Sequence, residues 1–92
     1  MKLVWKRLAL NDRERIMDHI AQDNPQAALD LDELFEQKAD RLIEQPELYR
    51  AGRKRGTREM VVHPHYIVIY RVQKEAVEVL RVKHTAQQWP AK

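Results

Sequence analysis

The chain has 92 residues, no cysteine and a net charge of +3, with 43% hydrophobic residues. That length admits one small domain, residues 1–92, with a modest core and a stability that is marginal without a partner. The absent thiols exclude disulfides, thiolate metal sites and cysteine nucleophiles.

The charge is unevenly laid out. Residues 1–48 carry seven basic and eleven acidic side chains, a balance of −4, whereas residues 49–92 carry ten and three, a balance of +7. An acidic half joined to a basic one points to a nucleic acid or an acidic protein as partner. The opening MKLVWKRLAL has too short an apolar stretch and too many charges for a signal peptide. No run of eighteen apolar residues is present, so a membrane span is not expected and a cytoplasmic location is.

In chain order, Lys2–Lys6 is apolar in its middle and predicts a first strand, with Leu3 and Trp5 on one face. A helix is predicted from about Leu8 to Asp23. Asn11 and Asp12 cap it or sit in its first turn, Ile16 and Ile20 form an apolar stripe, and Arg13, Glu14, Asp18 and Gln22 face outward. Asp23-Asn24-Pro25 ends that helix, and Pro25 suits the first position of another. The second helix runs to about Gln45 on an apolar set that includes Ala28, Leu31, Phe35, Ala39 and Leu42, and Pro46 stops it. The two helices form an antiparallel hairpin.

Pro46 to Gly56 is expected to be a loop holding Arg50, Arg53, Lys54, Arg55 and the only two glycines, Gly52 and Gly56. From Thr57 the pattern changes to alternation rich in Val, Ile and Tyr. It predicts strands at Thr57–His63, Tyr66–Val72 and Val77–Val82. The breaks between them are too short for crossover helices, so these strands form an antiparallel meander. The first strand must join the sheet from outside it. The fold class is therefore α+β, in the order β-α-α-β-β-β, with the helical hairpin covering one sheet face.

Several side chains have chemistry to offer. Arg50, Arg53, Lys54, Arg55 and Arg58 crowd into nine positions. Such mutual repulsion is compensated by phosphate or by an acidic protein surface, unless the segment is merely a solvated loop. Arg71 and Arg81 stand on the strands as solvent-facing side chains, partners of the acidic helices or phosphate ligands. His63 and His65 flank Pro64 and read as exposed imidazoles in a turn. An H-x-H pair can bind zinc, but no third ligand stands at a familiar spacing, so no metal is expected. Tyr66 and Tyr70 share a face and are expected to pack.

These pieces, in this order, resemble the RelE/ParE superfamily of toxins from type II toxin–antitoxin modules. The resemblance runs through Leu3-Val4-Trp5, Ile20 to Pro25, Ala27-Ala28, Pro46 and the Gly56 to Glu59 entry. It continues through His63 to Val72, Val79 to His84 and Gln87 to Pro90. It implies a toxin neutralised by a cognate antitoxin, with no cofactor. The wording is closer to the ParE branch, whose members poison DNA gyrase, than to the RelE branch, whose members cut mRNA on the ribosome.

Under the nuclease reading, Arg58, Arg81 and His84 would be the catalytic groups. Met60 and Ile67 stand where that pattern calls for a lysine and an arginine, which argues against it. Under either reading Arg50, Arg53, Lys54, Arg55 and Arg58 are the candidate target-binding set. A non-toxic nucleic-acid or protein-binding module is the reading independent of the family.

Overall fold

A computed structural model describes residues 1–90 of the chain. Five strands form one sheet in the order β1-β5-β4-β3-β2: β1 (Lys2–Trp5), β2 (Arg50–Ala51), β3 (Arg58–His63), β4 (Tyr66–Val72) and β5 (Ala76–His84). The meander β3-β4-β5 is antiparallel, as the short breaks require, and β1 adds to β5 in parallel from outside it. Two helices, α1 (Arg7–Ala21) and α2 (Pro25–Asp40), pack on one face.

The hairpin turn follows the sequence signals. The backbone N–H groups of Asp23 and Asn24 both donate to the Ile20 carbonyl and close α1. Asn24 then caps α2 by accepting from the Ala27 N–H at 3.1 Å, with Pro25 in the first turn. At the other end α2 stops at Asp40, earlier than Gln45, and tightens into a single 3-10 turn, Arg41–Ile43, that carries Leu42 into the core. α1 begins at Arg7, so Asn11 and Asp12 lie in its second turn and cap nothing. Arg13 does not face outward. Its guanidinium grips Asp32 at 2.8 and 2.9 Å and Glu36 at 3.0 Å on α2, and lies 4.4 Å from the Trp5 ring centre. The bond to Asp32, opposed by burial and reinforced by Glu36, raises the Arg13 pKa.

Between helices and sheet lies a core of Ala9, Leu31, Phe35, Ala39, Met60, Val68, Tyr70, Val77, Val79 and Val82. Strict alternation cannot put both Val79 and Val82 inward. A register shift does so: Tyr70 pairs with Val79 but Ile69 pairs with Arg81, leaving Leu80 as the extra residue of a bulge. Beyond the bulge Val82 and His84 share the face of Val77 and Val79.

The predicted loop contains a strand. β2 pairs with Arg58 and Glu59 on β3, and the connection returns through Gly52 N–H donating to the Thr57 carbonyl at 2.7 Å. A Cβ on Gly52 would lie 2.2 Å from Thr57 Oγ1, so only glycine fits there. Gly56 has φ of 82°, a left-handed conformation that glycine adopts freely.

Candidate functional site

The basic segment is compensated partly from within. Glu59, on β3 directly opposite Arg50, is 2% exposed. Its carboxylate accepts from the Arg53 backbone N–H at 2.9 Å, the Arg53 guanidinium at 3.3 and 3.4 Å, and the Arg50 guanidinium at 3.2 Å. Arg58 turns its guanidinium to the carbonyls of Tyr49 at 2.7 Å and Glu47 at 3.2 Å. Lys54 and Arg55 are exposed and have no ion-pair partner among the described residues. The cluster is therefore two kinds of residue: Arg50, Arg53 and Arg58 brace the loop, and Lys54 and Arg55 project from it.

Burial pushes the Glu59 carboxyl up. The Arg53 N–H and guanidinium and the Arg50 charge more than offset this, so its pKa lies below the ordinary glutamate value. A depressed folded pKa stabilises the fold fully above the unfolded-glutamate range, about pH 4.3. That contribution is lost as pH falls through this range to the lower folded value. Glu59→Gln is expected to flatten this acid limb in denaturant titrations run across that window. A limb unchanged by the substitution contradicts the role given to Glu59.

Arg81 is committed as well. Asp12, 1% exposed on α1, accepts from Arg81 Nε at 2.8 Å and from the second guanidinium nitrogen at 3.0 Å. It also accepts from the Val82 backbone N–H at 2.9 Å and from Arg15. β1 pairs with β5 only as far as Val79, and Asp12 takes up the edge N–H just beyond. The Asp12 bond, against an opposing burial effect, raises the Arg81 pKa.

The three candidate nuclease groups do not assemble. Arg58 sits opposite Tyr70, Arg81 opposite Ile69 and His84 opposite Tyr66. Directly paired residues share a face and neighbours along a strand do not, so Arg81 lies on the other sheet face from Arg58 and His84. Arg58 and His84 are separated by four residues along β4, roughly 13 Å at about 3.3 Å per residue. Met60 and Ile67 are 0% and 1% exposed, apolar core where the nuclease pattern calls for cations.

A different grouping is present that local sequence did not reveal. His65 stacks on His84 with ring centres 5.5 Å apart, and Tyr66 meets His84 edge-on at 5.2 Å. His63 lies 5.6 Å from His65 and 5.9 Å from Tyr66. The β4–β5 register makes the cluster by pairing Tyr66 with His84, and the Pro64 turn folds His63 and His65 beside them. Two imidazoles are oriented by backbone: His63 Nδ1 accepts from the His65 N–H and His84 Nδ1 from the Ala86 N–H. The cluster borders a cleft of about 560 Å³ closed on the helix side by Ile20, Leu31 and Leu34. Among the described residues no three or more His, Asp or Glu side chains are disposed to hold a metal ion.

Residues 3–89 match the family of the ParE toxin of type II toxin–antitoxin systems, parDE. The chain belongs to that family. Its relatives include Y4kP of Sinorhizobium fredii, 37% identical over 90 residues, covering 97% of this chain and 93% of that one. Toxin RelE2 of Caulobacter vibrioides is 36% identical over 86 residues, covering 94% and 97%. The solved chromosomal ParDE toxin–antitoxin system of P. aeruginosa aligns with a TM-score of 0.81 over 91% of this chain and 95% of that one. At 23% identity that last likeness speaks to fold alone. This ParE-family chain is thus the toxin of a type II module, a class that has a cognate antitoxin as partner. No helix among the described residues is long and apolar enough to cross a membrane.

Proposed function

We propose that this toxin, working as one domain in the cytoplasm, arrests growth by inhibiting DNA gyrase and is relieved by its antitoxin. The observation that carries this reading is the internal commitment of the nuclease candidates. Arg58 is spent on backbone carbonyls and Arg81 on Asp12, and they occupy opposite sheet faces. Cleavage of RNA without a metal needs a base, a cation for the phosphorane and an acid within reach of one phosphate. A protein that binds its target needs only a complementary surface, and Lys54 and Arg55 offer the free charge for one.

The second reading, an mRNA endonuclease, draws on the histidine cluster. His84 shares a cleft of about 370 Å³ with Arg15, His19 and Tyr66, and its Nε2 makes no bond to the described residues. Expression without antitoxin separates the two. Gyrase inhibition gives filamentous cells and a DNA-damage response while translation continues, and His84→Ala stays fully toxic. Reversing charge at Lys54 and Arg55 weakens toxicity. Early translation arrest with transcripts cut on ribosomes, abolished by His84→Ala, overturns the gyrase reading.

A further inference from the structure

The start of α1 lies beside Lys54 of the basic loop and Trp89 of the C-terminal segment. A cavity of about 450 Å³ opens there, and its wall includes Lys6, Arg7, Lys54, Arg71, Arg81 and Trp89, with Leu8 and Leu80 as the apolar part. That volume lies in the range of small-molecule sites. No acidic side chain is among the described residues that line it.

The charge there is under-compensated. Glu78 serves Arg71 at 2.6 Å and Lys6 at 3.8 Å, and Asp12 serves Arg81 while also holding Arg15. Arg7 and Lys54 have no ion-pair partner among the described residues. Burial first, and then the charge of Arg81, push the neighbouring Lys83 below its ordinary lysine value. Lys83 lies 5.8 Å from the Trp89 ring centre.

Two further features demand acceptors. The Trp89 indole N–H is buried and has no hydrogen-bond partner among the described residues, which is costly. The N-terminus of α1 has no side-chain cap and no acidic residue in its first turn. The wall thus presents donors, positive charge and an aromatic ring. A ligand that fits must be rich in acceptors, multiply negative and partly planar.

We propose that this cavity binds a nucleoside polyphosphate, the phosphates among Arg7, Lys54 and the α1 N-terminus and the base against Trp89 and the leucines. The proposal shares Lys54 with the gyrase reading but rests otherwise on Arg7, Trp89 and the α1 N-terminus, so loss of ATP binding in Arg7→Gln with toxicity retained separates the two. The source of the phosphates is either a free nucleotide or the backbone of a single strand, and the free nucleotide suits a cavity of this size.

The test uses the full chain with Trp5→Phe, so that Trp89 is the only tryptophan, and titrates ATP, AMP, adenosine, a short single-stranded oligonucleotide and an oligoglutamate peptide. Saturable change in Trp89 emission with ATP is expected, weakening at least about tenfold from ATP to AMP and vanishing with adenosine. Arg7→Gln and Lys54→Gln, both at exposed positions, each weaken ATP binding several-fold with circular dichroism unchanged. Trp89→Phe, followed by calorimetry, keeps an aromatic ring but shrinks the stacking surface and also weakens binding. Absence of saturable binding, equal binding of adenosine and ATP, or indifference to both cation variants overturns the proposal. So does tighter binding of the oligonucleotide or the peptide than of ATP.

Discussion

Asp12→Ala is expected to lower stability by about 3–5 kcal/mol, the largest single effect of any polar substitution in this chain. One carboxylate, 1% exposed, holds the Arg81 guanidinium through two bonds, the Val82 N–H through a third, and Arg15 beside them. Removing it leaves Arg81, whose side chain is only 23% exposed, without its counter-charge and orphans a backbone N–H at the sheet edge. It also unfastens α1 from β5 where β1 no longer pairs. For a domain of this size the melting temperature falls by about 4–8 °C per kcal/mol, so the loss is readily read by thermal denaturation. Asp12→Asn keeps an acceptor for Val82 and is expected to lose less. In a double-mutant cycle, Arg81→Leu on the Asp12→Ala background should recover part of the loss, because no charge is then left unpaired. Additive losses in that cycle contradict the clamp.

Phe35→Ala is expected to cost about 3–5 kcal/mol by transfer and cavity terms together. Phe35 is fully buried where α2 crosses the sheet, and its ring meets Tyr66 edge-on at 5.8 Å. Tyr66 in turn supports His84, so the cavity opens under the histidine cluster. Phe35→Leu keeps most of the volume and is expected to cost a smaller fraction. Against a total stability of about 5–15 kcal/mol for small domains, the alanine variant keeps a much reduced margin, so its melting temperature should fall steeply when antitoxin is absent and rise again when antitoxin binds. An alanine variant that melts like the parent places the core elsewhere.

Most of the architecture was readable because it is written in local periodicity and punctuation. Asn24-Pro25 fixes the hairpin turn, and the alternation through β3 and β4 fixes the meander. What escaped depends on contacts far apart in sequence. Asp12 looks like any acidic residue of an amphipathic helix until β5 arrives 69 positions later. Glu59 reads as one acid among arginines, and only the β2–β3 pairing shows that Arg50 and Arg53 converge on it. The bulge at Leu80 carries no glycine to announce it, yet it decides which face His84 occupies. Local sequence predicts His63 and His65 as exposed turn imidazoles. The third imidazole of their cluster comes from the far end of β5 through the Tyr66–His84 register. By local sequence, five crowded cations demand an outside partner unless the loop is merely solvated. The fold answers part of that demand with Glu59 and two carbonyls, which narrows the free charge of the loop to Lys54 and Arg55.

The most direct measurement adds the purified toxin to DNA gyrase in a supercoiling assay and, in parallel, to a translating extract in which transcript integrity is followed. Loss of supercoiling with accumulation of gyrase-bound cleaved DNA, reversed by antitoxin and accompanied by intact transcripts, is the expected result. Undisturbed supercoiling with transcripts cut in a ribosome-dependent manner would contradict it.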